Sequence, residues 1–314
     1  MPSTRRIRTR TQRKNIERPV TDGFISHSSA NRALAVRLEK ALEATGLSIW
    51  LDDSEIRLGA LLGQELQDSI RNARAVILLW SERASKSRWI ATEWLTAFHL
   101  GRFIVPCSLD DTPLPQCLSG TVYLRIRRVT PGIVEDLART LRDAPRRRNE
   151  VPPMMGGQSP ALLEAINTIA GRQYAMHAEL ETWNLTKARS FQAKLDPITD
   201  NAVATWPFDP TIVNLVGYHL KNAYMLKHWD EVQAGRSPKD PILDDAERRF
   251  FETLSIDPTD PEALNGLGSI LLFKHDVEAA EFFIRAAIAE AKRRKIDYPA
   301  AEHDLAMVRR FTDE

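Results

Sequence analysis

The sequence predicts a doubly wound α/β domain over residues 20–142, followed by an all-helical domain over residues 161–314. Three observations carry this reading. Short apolar runs alternate with helical segments up to about residue 142, the arrangement that crossover-connected parallel strands require. From Pro160 onward the apolar spacing is helical to the end of the sequence. Between the two lies DAPRRRNEVPPMMGGQSP, residues 143–160, where a charge run combined with Pro and Gly reads as a linker.

The elements follow in order. Residues 1–19 carry Arg5, Arg6, Arg8, Arg10, Arg13, Lys14 and Arg18 against Glu17, with almost nothing apolar to bury, and form a basic tail. VTDGFIS is the first strand, before a helix over Ala30 to Ala44; LSIWL is the second, before Leu61 to Asn72. AVILLW is the third, before Trp89 to Leu100; RFIVPCSL is the fourth; VYLRI is the fifth, before Ile133 to Arg142. Trp50 and Trp80 sit within or at the ends of apolar runs and are expected in the core. Ser87 is placed to cap the helix after the third strand, and Ile90, Trp94, Ala97 and Phe98 make the stripe that should face the sheet. In the helical part, Ala246, Phe250 and Thr253 recur 34 positions later as Ala280, Ile284 and Ala287. Leu264, Leu267, Gly268 and Leu271 form the helix between them, and Tyr298, Ala301 and Leu305 supply a closing one. Val216-Gly217 corresponds to Leu267-Gly268 at a separation of 51, which places an insertion over AGRSPKDP. The repeat resembles a tetratricopeptide-type helix pair; a generic helical bundle is the alternative.

Composition narrows the function classes. Forty-three Lys and Arg against forty-two Asp and Glu leave a formal charge of +1, so no whole-molecule field gathers nucleic acid or anionic lipid. The basic tail lacks the aromatic interleaving and folded reader of a nucleic-acid module, which disfavours that partner. No apolar run approaches the ~20 residues that cross a bilayer. Cys107 and Cys117 are too few for a disulfide framework, and the seven histidines include no H-E-x-x-H pair, so a cytoplasmic protein without a metal site is expected.

In an open parallel sheet, ligands bind beyond the carboxyl ends of the strands. That geometry selects Ser26, His27 and Ser28 after the first strand, Asp52 to Gly59 after the second, and Ser81 to Trp89 after the third. Trp89 and Glu93 are one helical turn apart, and both project beside the buried stripe. An aromatic plane one turn from a carboxylate suits a flat ring joined to a sugar, because the ring stacks while the carboxylate faces charge developing on the sugar. The plainer alternatives are a solvated carboxylate near a helix N-terminus for Glu93, a rim hydrophobe for Trp89, a turn residue for His27, and loop caps for Asp52 and Asp53.

Three ordered segments in this α/β context, DGFISHSS, LDDSEIRLG and S-R-W-I-A-T-E at Ser87 to Glu93, resemble the first box, second-strand loop and S-x-W-x-x-x-E motif of bacterial TIR (Toll/interleukin-1 receptor) domains. The resemblance implies a flavodoxin-like, five-stranded parallel sheet and an NAD+ glycohydrolase that releases nicotinamide and leaves ADP-ribose or a cyclic product. Carried over, Glu93 is the catalytic residue and Trp89 a stacking partner. Ser26, His27, Ser28, Asp52, Asp53, Arg57 and Gly59 line the NAD+ pocket or an assembly surface. NAD+ is then substrate, with no further cofactor. The resemblance also implies self-association through the TIR domain and an immune effector or signal-producing role, while the helical repeats, whose arrays present concave surfaces suited to peptides or proteins, suggest a protein or peptide trigger on the helical domain. A non-catalytic TIR adaptor is the alternative. Two departures stand out: Gly23 occupies a place where an apolar residue is usual, and Arg57-Leu58-Gly59 replaces the Pro-Gly of many adaptor members.

Overall fold

A computed structural model describes residues 20–51, 62–144 and 159–312. Five parallel strands, β1 (Thr21–Ser26), β2 (Ile49–Leu51), β3 (Ala73–Trp80), β4 (Phe103–Ser108) and β5 (Leu124–Arg125), pair in the order β2-β1-β3-β4-β5. The expected flavodoxin-like sheet is therefore present. β3 takes its place near the centre because AVILLW is apolar on both faces, and both faces are covered.

Alternate residues divide the sheet between two cores. Ile25, Ile77, Leu79 and Val105 face α1 (Arg32–Glu43) and α5 (Pro131–Arg142), meeting Leu38, Leu42, Leu137 and Leu141. Phe24, Val76, Leu78 and Ile104 belong to the opposite core with α2 (Leu62–Asn72) and α4 (Arg88–His99), which contribute Ile70, Ile90, Trp94 and Phe98. A short helix, α3 (Glu82–Ser85), falls between β3 and α4 and was not expected. Trp80 is buried, with its indole N–H donating to the Pro113 carbonyl at 2.8 Å. Trp50 is only half-buried and stacks on Phe24 at 5.3 Å between centroids. The fifth strand is shorter than VYLRI: Val122 and Tyr123 are exposed at the sheet edge, and only Leu124 and Arg125 pair with β4.

The C-terminal part is all helical: α6 (Pro160–Glu181), α7 (Leu185–Thr205), α8 (Pro210–Lys227), α9 (Trp229–Gln233), α10 (Pro241–Ile256), α11 (Pro261–Phe273), α12 (Val277–Arg293) and α13 (Pro299–Thr312). Four of these helices begin with a capping side chain followed by proline, at Ser159-Pro160, Asp209-Pro210, Asp240-Pro241 and Asp260-Pro261. The cap oxygen accepts an orphan N–H, and the proline presets the first helical φ. Glycines bring helices of this part close together. A Cβ on Gly217 of α8 would lie 2.8 Å from the Phe250 ring of α10, and one on Gly268 of α11 would lie 2.5 Å from Ile284 of α12. The two glycines let their helix pairs close at these points, and AGRSPKDP falls in the connection that leads from α9 into α10.

The two parts share a core. One apolar cluster runs from Phe24, Trp94 and Phe98 through Leu118 to Phe250, Leu254 and Phe283. Among the described residues, no helix is long and apolar enough to cross a membrane.

Candidate functional site

The strand order reverses at β1 and β3: the chain leaves β1 for β2 on one side and returns through β3 to β4 on the other. In open parallel sheets such a switch point is where ligands bind. Ser26, the last residue of β1, Ser81, which follows β3, and α4, which carries Glu93, lie at this end of the sheet.

Glu93 is 1 % exposed, and the Ser26 hydroxyl donates a short hydrogen bond to its Oε2. A buried carboxylate requires such donors, because without them ionisation in a poorly hydrated site is costly. α4 presents it there because the Ser87 hydroxyl caps the helix, accepting from the Ile90 N–H at 3.3 Å, while Ile90, Trp94, Ala97 and Phe98 bury the expected stripe. Glu93 lies about 100° around the helix from Trp94, toward the strand ends.

The remaining sequence-chosen residues divide. Ser26, His27 and Ser28 are all buried at the end of β1, and Ser26 bonds to Glu93. Trp89 is half-buried and packs against the apolar cluster shared with the C-terminal helices. Asp52, Asp53, Arg57 and Gly59 lie outside the described residues.

Sequence reasoning passed over Asn31. It precedes α1 yet makes no side-chain cap. Its Oδ1 instead accepts the hydroxyls of Ser28 at 2.5 Å and Ser81 at 2.8 Å, tying the loop after β1 to the end of β3. Ser81 meanwhile caps α3, accepting from Ala84 N–H at 3.3 Å. An Asn five residues after the strand's end, among serines, was the available signal. Further along the strand ends, Ser108, Asp110, Pro113, Tyr123 and Arg125 border a cleft of about 260 Å3 that none of the sequence-chosen residues lines. Cys107 and Cys117 are buried, and burial pushes both thiols up to about 12, which makes them poor nucleophiles. Among the described residues, no cluster of His, Cys, Asp and Glu is arranged to hold a metal ion.

Residues 24–144 match the family model described as the TIR domain. A protein of Methanobrevibacter olleyae described as a probable 2′ cyclic ADP-D-ribose synthase, TcpO, is 30% identical over 86 residues, covering 27% of this chain and 25% of that protein. The match thus spans about a quarter of this curated relative's length. Among solved structures, the TIR domain of the Toll-related receptor TRR-2 from Hydra magnipapillata is 20% identical at a TM-score of 0.35, covering 39% of this chain and 98% of the other. A metazoan TIR-STING receptor from C. gigas is 17% identical at a TM-score of 0.31, covering 54% and 53%.

Proposed function

We propose that this chain, whose residues 24–144 form a TIR domain, breaks the nicotinamide–ribose bond of NAD+ to give nicotinamide and ADP-ribose or a cyclic ADP-ribose. One observation carries the reading: Glu93 sits buried at the switch point of the sheet, with its carboxylate held by Ser26. The naming of the Methanobrevibacter olleyae relative as a cyclic ADP-ribose synthase supports the same chemistry at low identity.

The bond to be broken expels a neutral pyridine from a pyridinium, so the leaving group needs no proton. What rises in the transition state is positive charge on the ribose, and a carboxylate in a site of low dielectric stabilises it far more than one in water. One carboxylate therefore replaces the pair used on ordinary glycosides. The role assigned to Glu93 is to face the anomeric carbon and accept hydrogen bonds from ribose hydroxyls. Ser26 fixes its rotamer. His27, Ser28 and the loop bearing Asp52, Asp53, Arg57 and Gly59 are assigned to the walls, and Trp89 to the nicotinamide ring. NAD+ serves as substrate without a further cofactor. The assignment extends to a cytoplasmic immune effector or signal producer that assembles through its TIR domain and is triggered by a protein or peptide on its helices.

Incubating the full-length protein with NAD+ over a range of protein concentrations, beside Glu93→Gln, tests this by nicotinamide release. Wild type should release nicotinamide, with the rate per subunit rising as the protein assembles, and the variant should be at least ~100-fold slower. The second reading, a non-catalytic adaptor, is favoured by the packing of Trp89 against the shared cluster. It prevails if both proteins leave NAD+ equally intact at every concentration.

A further inference from the structure

Beyond its exposed first residue, Arg88, α4 has no solvent face from Glu93 to Phe98. Residues 93–98 of this helix are all buried, and six successive residues at 100° each pass all the way around a helix. One side is the stripe against the sheet. Arg88, Leu95 and His99 form a row on the other side, and the C-terminal helices meet it at Arg88, which stays half exposed, and at His99. At the first residue of α4, the Arg88 guanidinium donates to Asp244 at 3.0 Å and to Glu247, both on α10. Lys274, which ends α11, donates to the same two carboxylates at 2.7 and 2.9 Å. At the last residue, His99 lies 4.0 Å from Glu290 of α12. Glu290 also accepts from Arg293 at 2.6 Å.

Glu247 is 4 % exposed, and a carboxylate that deeply buried is tolerated only while both cations stay in place. One guanidinium nitrogen, Nη1 of Arg88, reaches both acids, as the Lys274 ammonium does from its own side. The cluster sits one residue before Trp89 and five before Glu93. A rigid shift of α4 along or about its axis would carry both of them with it.

The geometry points to Arg88 as a positioning residue: gripped by Asp244 and Glu247, it sets α4 and hence Glu93 in register with Ser26, so the helical part belongs to the catalytic apparatus. This rests on the NAD+-cleaving reading. It adds that the TIR part alone does not hold the carboxylate in its working place.

The experiment uses full-length wild type, Arg88→Ala, Arg88→Lys and Glu247→Gln, with NAD+ cleavage measured well below each protein's melting temperature and rates referred to folded protein. Displacing a catalytic group by about an ångström costs up to ~100-fold, so Arg88→Ala should lose roughly 10- to 100-fold in kcat with a smaller change in KM. Arg88→Lys should recover part of the loss. Arg88→Ala combined with Glu247→Gln should fall no further than the worse single variant, as members of one linkage do. If wild type cleaves NAD+ and Arg88→Ala and Glu247→Gln keep its kcat and KM while only melting earlier, Arg88 is a structural tie and the inference is overturned. Should Arg88→Ala not fold, Glu247→Gln and Arg88→Lys decide the matter on the same readout. A wild type inactive at every concentration removes the NAD+ reading itself, an outcome distinct from the previous one.

Discussion

The Ser26 hydroxyl at the end of β1 donates to the Glu93 carboxylate on α4, joining the first strand to the fourth helix across 67 residues of sequence. The bond is shielded from water, and burial makes losing it costly. Ser26→Ala should therefore lower stability by about 1.5–3 kcal/mol and lower kcat for NAD+ cleavage by roughly tenfold, with KM little changed. Calorimetry and steady-state kinetics on one preparation check both; unchanged values in each would remove Ser26 from the site.

The glycine contacts of the helical part make a second prediction. Gly268→Ala forces a methyl to within 2.5 Å of Ile284 and 3.2 Å of the Ala280 carbonyl, and should cost about 1–3 kcal/mol. Gly171, on α6, has nothing within 4 Å of an added Cβ, so Gly171→Ala should stabilise by about 0.4–1 kcal/mol. Opposite shifts in melting temperature are the expected result.

Burial pushes the Asp260 carboxyl up to about 6, although the side chain caps α11 by accepting from the Ala263 N–H at 2.7 Å. The native state then holds a proton that the unfolded chain has already released above pH 4, so stability falls as pH rises from about 4 to about 6 and levels off beyond. Asp260→Asn keeps the cap and discards the charge. It should raise stability at pH 7.5 by on the order of 2–3 kcal/mol and flatten that part of the profile. A variant that melts no later than wild type at pH 7.5 would refute this.

Asp244 behaves in the opposite sense. The hydrogen bond from Lys274 holds its carboxyl below the usual carboxylate range, with the charges of Lys274 and Arg88 adding to the effect. Its contribution is present above the unfolded pKa of about 3.9 and is lost as pH falls through the depressed native value. Lys274→Met should shift acid unfolding to higher pH, and a circular dichroism titration reads the displacement directly.

The parallel sheet was legible in the sequence because its strands are apolar runs of the right length between amphipathic helices, and the order of the boxes followed. The place of Glu93 was legible too, since Ser87 and the Ile90–Trp94–Phe98 stripe set the helix phase. Its depth was not. The expected stripe was Ile90, Trp94, Ala97 and Phe98, but Leu95 and Thr96 are buried as well, and the run EWLTAF, apolar on most sides, was the sign of a stretch enclosed all round. Gly23 gave a second lesson. Its Cβ would meet Ile49 at 3.2 Å and Leu141 at 3.6 Å, so the missing side chain makes room for neighbours rather than weakening the strand. Asn31 escaped notice because a residue before a helix suggests a cap, whereas here its carboxamide joins two serines from separate loops.

Arg88 and Glu247 are 159 residues apart in the chain. At ribosomal speeds of about 5–20 residues per second, roughly 10–30 s elapse between making the two. Throughout that interval the flank of α4 bearing Leu95 and His99 has no helix to rest on, and the nascent polypeptide shows it to solvent and to any chaperone within reach. Only a chain already synthesised past α10 and α12 can close that seam.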